Sequence, residues 1–319
     1  MSKNILGIDV SKQKLDVALI FDGKTLTKKF DNSSSGCKLI AAWLKSLHRE
    51  SVHACLESTG TYGGLVAQVL HDAGHFVSVV NPLRIKAYAV SSLSRNKTDK
   101  ADARIIADFC LTQKPEQWFP ASPRVIKIQA LSRRIEALEG MLQAERNRLD
   151  VSPKDTKSSI KRIIKTLEKE IQELGKQIKD HIDQDPKLKN QNDLLKTIPG
   201  IGEKTSNMLL SEIEFERFDS ARDVAAYAGV TPKQRKSGTS LNFSRLSKMG
   251  NKRLRKHLYF PAIVAGQHNQ IIKDFAKRLA KNGKSKMQIV CASIRKLLHI
   301  AFGVLKNQTP FDPNLAFHG

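Results

Sequence analysis

Apolar positions in the first 115 residues come in short blocks whose period keeps changing. Ile5-Leu-Gly-Ile-Asp-Val10 is an apolar run of strand length, and Lys14-Leu-Asp-Val-Ala-Leu-Ile20 alternates as a half-buried strand does. Phe21-Asp-Gly-Lys24 supplies a turn and Thr25 to Phe30 a third strand, so the pattern predicts an antiparallel meander. A helix over 35–47 follows, with Leu39, Ile40, Trp43 and Leu44 on one face. Residues 52–57 predict a fourth strand and 62–73 a second helix, opened by Gly60-Thr-Tyr. Phe76 to Val80 predicts a fifth strand, which stops at Asn81-Pro82. Helical spacing resumes near Leu83 and again over 99–111. Strand and helix in this alternation predict an α/β layer.

The rhythm breaks at Pro115-Glu-Gln-Trp-Phe-Pro-Ala-Ser-Pro123, so residues 1–115 form one domain and 116–124 a linker. In the helical arm expected over 125–190, Ile160, Ile163, Ile164, Leu167, Ile171, Leu174 and Ile178 recur every three or four positions. That is a helical stripe with a coiled-coil-like seam. A turn at Val151-Ser-Pro-Lys-Asp155 makes an antiparallel hairpin and an intermolecular coiled coil equally good readings. Residues 191–319 form the last, mostly helical domain. There Pro199-Gly-Ile-Gly202 joins two helices in a helix-hairpin-helix pattern, whose second helix offers free N–H groups to a phosphate. A plain helical hairpin fits the same residues.

Charge changes the picture. The net charge is +23 on 319 residues, with 40% hydrophobic positions, enough for a core. Residues 231–319 hold eighteen Lys and Arg against only Asp274 and Asp312, so the excess sits mainly in the last domain. A surplus of this kind points to a polyanion partner and away from a neutral metabolic enzyme. No apolar run approaches a membrane span, and Met1-Ser-Lys-Asn lacks a signal-peptide core, so the expectation is a cytoplasmic, nucleoid-associated protein without a membrane. Cys37, Cys55, Cys110 and Cys291 lack CxxC spacing, and the histidines form no ligand pair. They predict neither disulfides nor a zinc site.

The sharper signal is acidic. Asp9 and Glu57 each stand at the end of an apolar strand, where a carboxylate needs compensation by Lys, Arg or a divalent cation. In Asn96-Lys-Thr-Asp99-Lys-Ala-Asp102-Ala-Arg104, Asp99 and Asp102 are three apart and share a face if a helix starts there. Each alone also reads as a helix cap or a first-turn charge.

Gly7-Ile-Asp-Val-Ser-Lys12, Glu57-Ser-Thr-Gly-Thr-Tyr62 and Asn96 to Arg104 resemble the DEDD transposases, the insertion-sequence recombinases of family one-ten, related to Piv-like DNA invertases. Ile198 to Thr205, Ala225-Ala-Tyr-Ala-Gly-Val-Thr-Pro232 and Ser247-Lys-Met-Gly-Asn-Lys-Arg-Leu-Arg255 resemble that family's C-terminal transposase domain, so the likeness spans essentially the whole chain. The element order βββαβαβα is likewise that of a ribonuclease H-like fold. The resemblance implies a RuvC-like domain whose Asp9, Glu57, Asp99 and Asp102 bind one or two Mg²⁺. It also implies a nucleophilic serine at Ser237, in Arg235-Lys-Ser-Gly-Thr-Ser240. By residue type alone that segment is a basic turn in which Ser240 competes with Ser237.

A serine nucleophile would store the phosphodiester energy as a phosphoserine, so that religation needs no ATP. Lys204, Lys233, Arg235, Lys236, Lys252, Arg253, Arg255 and Lys256 are the expected nucleic-acid contacts. The implied partners are target and donor duplex DNA, a structured bridge-type guide RNA and further copies of the chain. These copies would form a dimer or dimer of dimers with composite active sites. The competing readings are a RuvC-like structure-specific nuclease using water as nucleophile and a non-enzymatic basic scaffold.

Overall fold

A computed structural model describes residues 4–58, 62–91, 99–237, 241–247 and 249–314, with backbone alone at 99–100, 234–237 and 241–245. Gly60, Thr61, Asn96 to Thr98 and Ser240 lie outside the described residues. The chain divides into two compact units, Met1–Pro120 and Ala121–Gly319.

In the first unit the apolar blocks become strands β1 (Ile5–Val10), β2 (Lys14–Phe21), β3 (Lys24–Asp31), β4 (His53–Glu57) and β5 (Phe76–Val80). The helices are α1 (Ser34–Ser46), α2 (Gly64–Asp72), α3 (Pro82–Ser91) and α4 (Asp99–Gln113). The sheet order is β3-β2-β1-β4-β5. The meander pairs antiparallel, and β4 and β5 add on in parallel. Side chains alternate across the sheet. Leu6, Ile8, Leu15, Val17, Leu19 and Leu56 therefore pack with Ile40, Leu44, Val66 and Leu70 of α1 and α2. Ile5, Ala18, Cys55 and Val80 pack on the opposite face with Ile85 of α3 and Ala103, Ile106, Ala107 and Cys110 of α4.

Gly7 sets how close α4 comes. A Cβ there would stand 2.3 Å from the Ala103 carbonyl oxygen and the Ala107 nitrogen, so only glycine lets the helix backbone rest on β1. Past α4 the chain is stitched to β5. The Ser78 hydroxyl donates to the Pro115 and Glu116 carbonyls, and the Trp118 N–H donates to the Val77 carbonyl at 2.6 Å.

The second unit starts with two long helices, α5 (Pro123–Val151) and α6 (Lys154–Asp183), packed on each other. Ser122 caps α5, and Arg146 and Glu168 tie the pair at 2.8 Å. Near its base Ile178 and Ile182 are buried with Ile128 and Leu188, whereas further out Ile160, Ile164, Leu167 and Leu174 are half-buried and Ile163 is exposed. Next come α7 (Pro186–Lys196), α8 (Glu203–Glu212), α9 (Ala221–Tyr227), α10 (Lys252–His257), α11 (Tyr259–His268), α12 (Gln270–Lys281) and α13 (Lys286–Asn307). In the turn between α7 and α8, Gly200 takes φ +104°, and a Cβ would meet Ala265 of α11 at 2.6–3.0 Å. One side of that turn is therefore packed into the core.

Two expectations need correcting. Among the described residues α13 is long and apolar enough, by length and composition, to cross a membrane, although the sequence pattern suggested no such run. The pattern fails because Arg295 and Lys296 interrupt a stretch whose average is still apolar. In the fold, Leu297, Leu298, Ile300, Ala301 and Val304 of this helix are fully buried in the core of the second unit, which accounts for its composition. The turn reading of the basic segment also has to be cut back, because Arg235 to Ser237 are strand and only Gly238 to Ser240 of it lie outside the described residues. Strands β6 (Pro232–Ser237) and β7 (Leu241–Leu246) pair antiparallel into a two-stranded ribbon, with Ser237 opposite Leu241 at the end of β6.

Candidate active site

The strands and α4 bring three of the expected carboxylates to one place. Asp9 is the fifth residue of β1 and Glu57 the last of β4. Both project from the face that α4 covers, because Gly7 and Cys55, two residues earlier in each strand, do so. Asp102 lies one residue before Ala103, which packs on that face. All three are half-buried. Burial pushes the Glu57 carboxyl above its usual range, and the negative charges of Asp9 and Asp102 push it further. Glu57 therefore feels both of the other carboxylates. Asp99 is the first residue of α4, one turn ahead of Asp102, with its side chain outside the described residues.

Among the described residues no three donor side chains already converge tightly enough to cage an ion. The donor set nevertheless fits a hard divalent cation. Carboxylate oxygens are what Mg²⁺ takes, and a bound cation would offset both the burial and the neighbouring negative charges that raise Glu57.

Ser237 belongs to the second unit, at the end of β6, and its side chain lies outside the described residues, as do those of Arg235 and Lys236. Lys233 and Lys252 are exposed. The other expected nucleic-acid contacts are engaged within the unit. Arg253 donates from Nε to Glu136 at 2.7 Å and from Nη1 to Glu212 at 2.5 Å. Lys256 reaches Glu136 at 2.6 Å, and Lys204 pairs with Glu139. Arg255 donates to the Ala228 carbonyl at 3.0 Å and is half-buried, which lowers its pKa. Burial alone would raise Glu136, but hydrogen bonds from Lys256, Arg253 and His257 overcome it and hold the carboxyl at about 2. Arg253 and Lys256 fasten α10 to α5 and α8, and Lys204 fastens α8 to α5.

Sequence reasoning missed one buried acid, Asp16. It stands on β2 directly opposite Asp9 and is 5% exposed. The available signal was its parity: Ala18 and Ile20, on the same side of β2, both pack toward α4.

Comparison with known proteins adds the rest. Residues 6–151 match a transposase model, that of the IS110-type DEDD transposases, and residues 192–277 match the model of the transposase IS116/IS110/IS902 family. The pilin gene-inverting protein of Moraxella bovis is 36% identical over 321 positions, 99% of either chain. That of Moraxella lacunata is 36% identical over the same span. The transposase for insertion sequence element IS1328 of Yersinia enterocolitica is 27% identical over 287 positions, 77% of this chain and 82% of the relative.

Proposed function

This chain belongs to the IS110 family of transposases and is a DNA recombinase, and from that premise we propose a Mg²⁺-dependent reaction through a phosphoserine, guided by RNA. The observation that carries the reading is the meeting of Asp9, Glu57 and Asp102 at β1, β4 and α4, with Glu57 raised by burial and then by the charges of Asp9 and Asp102. In this reading the first unit is ribonuclease H-like, and Asp9, Glu57, Asp99 and Asp102 hold the cation. Bound there, Mg²⁺ would withdraw charge from the scissile phosphate and make a serine hydroxyl easier to deprotonate.

The rest falls to the chain. The Ser237 oxygen attacks phosphorus and forms a serine–phosphate ester as the bond to one deoxyribose oxygen breaks. The hydroxyl proton ends on that departing oxygen. A hydroxyl of the incoming strand then attacks the same phosphorus, the Ser237 oxygen leaves and takes up that hydroxyl's proton, and a phosphodiester is restored, so no external energy source is consumed. Lys233, Arg235 and Lys236 hold the phosphate beside the serine. Lys252 and the exposed Lys273, Lys277, Lys281 and Lys284 contact backbone phosphates more generally. The turn between α7 and α8 is a further phosphate contact, as a helix-hairpin-helix. Aromatic residues are 6% of the chain, so base stacking contributes little, and sequence choice rests on pairing of a guide RNA with target and donor DNA.

The paired helices α5 and α6 act as a coiled-coil arm. They let one protomer's serine serve its partner's carboxylates in a dimer or dimer of dimers, working on the nucleoid in the cytoplasm. The test is recombination with purified chain, guide RNA, donor and target duplexes and Mg²⁺. Joined product should require every component, and altering the guide's target-pairing loop should redirect insertion. Product formed equally well without RNA would sink the guided reading.

A further inference from the structure

Asp16 is a buried carboxylate that the chemistry above leaves unused. Residues directly opposite in an antiparallel pair project from the same face of the sheet. Asp16 is opposite Asp9 on one side and opposite Lys29 of β3 on the other. Lys29, Asp16 and Asp9 thus form a row across three strands. Glu57 continues it on β4, one step past the parallel partners Ile8 and Leu56. The row lies on the face covered by α4, where Ala18 of β2 packs against that helix.

The details of Asp16 are unusual for a plain structural ion pair. It is 5% exposed, and the Lys29 ammonium, on a side chain 49% exposed, stands 3.3 Å from its Oδ1. Among the described residues, that oxygen accepts no hydrogen bond. Like charges directly across a sheet oppose each other, and an imperfect buried ion pair is a poor source of stability. The placement of Asp16 therefore calls for a reason beyond folding.

We infer that Asp16 is a positioning residue of the carboxylate centre: through Asp9 it deepens the negative potential that draws a divalent cation, and Lys29 limits that potential. The inference rests on the reading that Asp9, Glu57, Asp99 and Asp102 hold such a cation. It predicts effects of opposite sign. Removing the charge of Asp16 weakens cation binding, whereas removing the charge of Lys29 strengthens it. A purely structural pair predicts that both changes lower the melting temperature and that neither moves affinity.

The experiment is Mn²⁺ titration of the full-length chain at low salt, read by the paramagnetic resonance of free Mn²⁺, with thermal melting in parallel. Asp16→Asn should weaken Mn²⁺ binding about three- to tenfold and Lys29→Met should tighten it about twofold or more. If wild type binds Mn²⁺ and both variants stay within experimental error of it, or if Lys29→Met binds more weakly, the inference is overturned while the metal reading stands. If wild type binds no Mn²⁺, both are overturned. Should Asp16→Asn not fold, Lys29→Met decides alone: tighter binding supports the inference, and unchanged or weaker binding overturns it.

Discussion

On the α4 face of the first unit, Asp9, Glu57 and Asp102 come together, and burial and mutual repulsion raise Glu57. On α10 of the second unit, Arg253, Lys256 and His257 converge on Glu136 and hold it at about 2. Both places concentrate charge in a half-buried setting, yet in one the fold crowds like charges and in the other it matches opposite ones. Matching lowers the energy of the folded chain, whereas crowding raises it and stores an affinity for something else. The net charge of +23 hides this division. Part of the cationic surplus is paired with acids of its own unit, and the proposed chemistry rests on the minority acids.

The contrast breaks if the acids of the first unit prove to be structural. Asp9→Asn and Asp102→Asn should lower the rate of strand joining by about 10²–10³-fold or more, the scale of losing one transition-state stabiliser. Their melting temperatures should hold steady or rise, because repulsion is relieved. A large fall in melting temperature would place these acids with Glu136 instead.

In the second unit the order reverses. Arg253→Ala leaves Glu212, whose side chain is 6% exposed, without its guanidinium. That should cost about 3 kcal/mol in urea unfolding, as for a broken buried pair. Lys256→Ala, at a side chain 67% exposed, should cost under about 1 kcal/mol.

Acid sharpens the same point. Burial, then Arg295, Lys296 and Arg222, hold His299 at about 4 against its ordinary 6.5, and Glu136 sits at about 2 against 4.5. At both groups the unfolded chain takes up a proton at higher pH than the folded chain, so stability falls as pH drops. The loss should run from about 6.5 to 4 for His299 and from 4.5 to 2 for Glu136, up to about 3 kcal/mol each, in urea midpoints measured across that range.

A smaller effect tests the geometry that makes the crowding. Gly7→Ala puts a methyl against the backbone of α4 and should cost about 2 kcal/mol by overpacking. It should also depress joining beyond what the melting temperature explains, since Asp102 moves away from Asp9.

Much of this was legible because it is local. All five strands of the first sheet fall within a residue or two of their apolar blocks, since the period of a half-buried strand is written in adjacent residues. Asp9 and Glu57 stood out because a carboxylate ending an apolar strand breaks that period. The ribbon of β6 and β7 was illegible for the opposite reason. Pro232-Lys-Gln-Arg-Lys-Ser237 offers no apolar alternation, so nothing in its own residues distinguishes strand from turn. The pairing of Arg253 and Lys256 with Glu136 was hidden by distance, at separations of 117 and 120 residues. A basic helix looks the same in sequence whether it faces phosphate or a carboxylate of its own chain. Asp16 was passed over because a polar residue in an alternating strand looks exposed unless its parity is compared with that of its neighbours.

The central claim is that the serine of β6 and the carboxylates beneath α4 act on one phosphate. Its most direct test is to denature a reaction containing end-labelled donor DNA and look for label attached to protein. The account predicts a Mg²⁺-dependent covalent adduct, stable in denaturant, that vanishes in Ser237→Ala and in Asp102→Asn. Cleaved DNA ends without any adduct, formed equally well by Ser237→Ala, would contradict it and assign the attack to water.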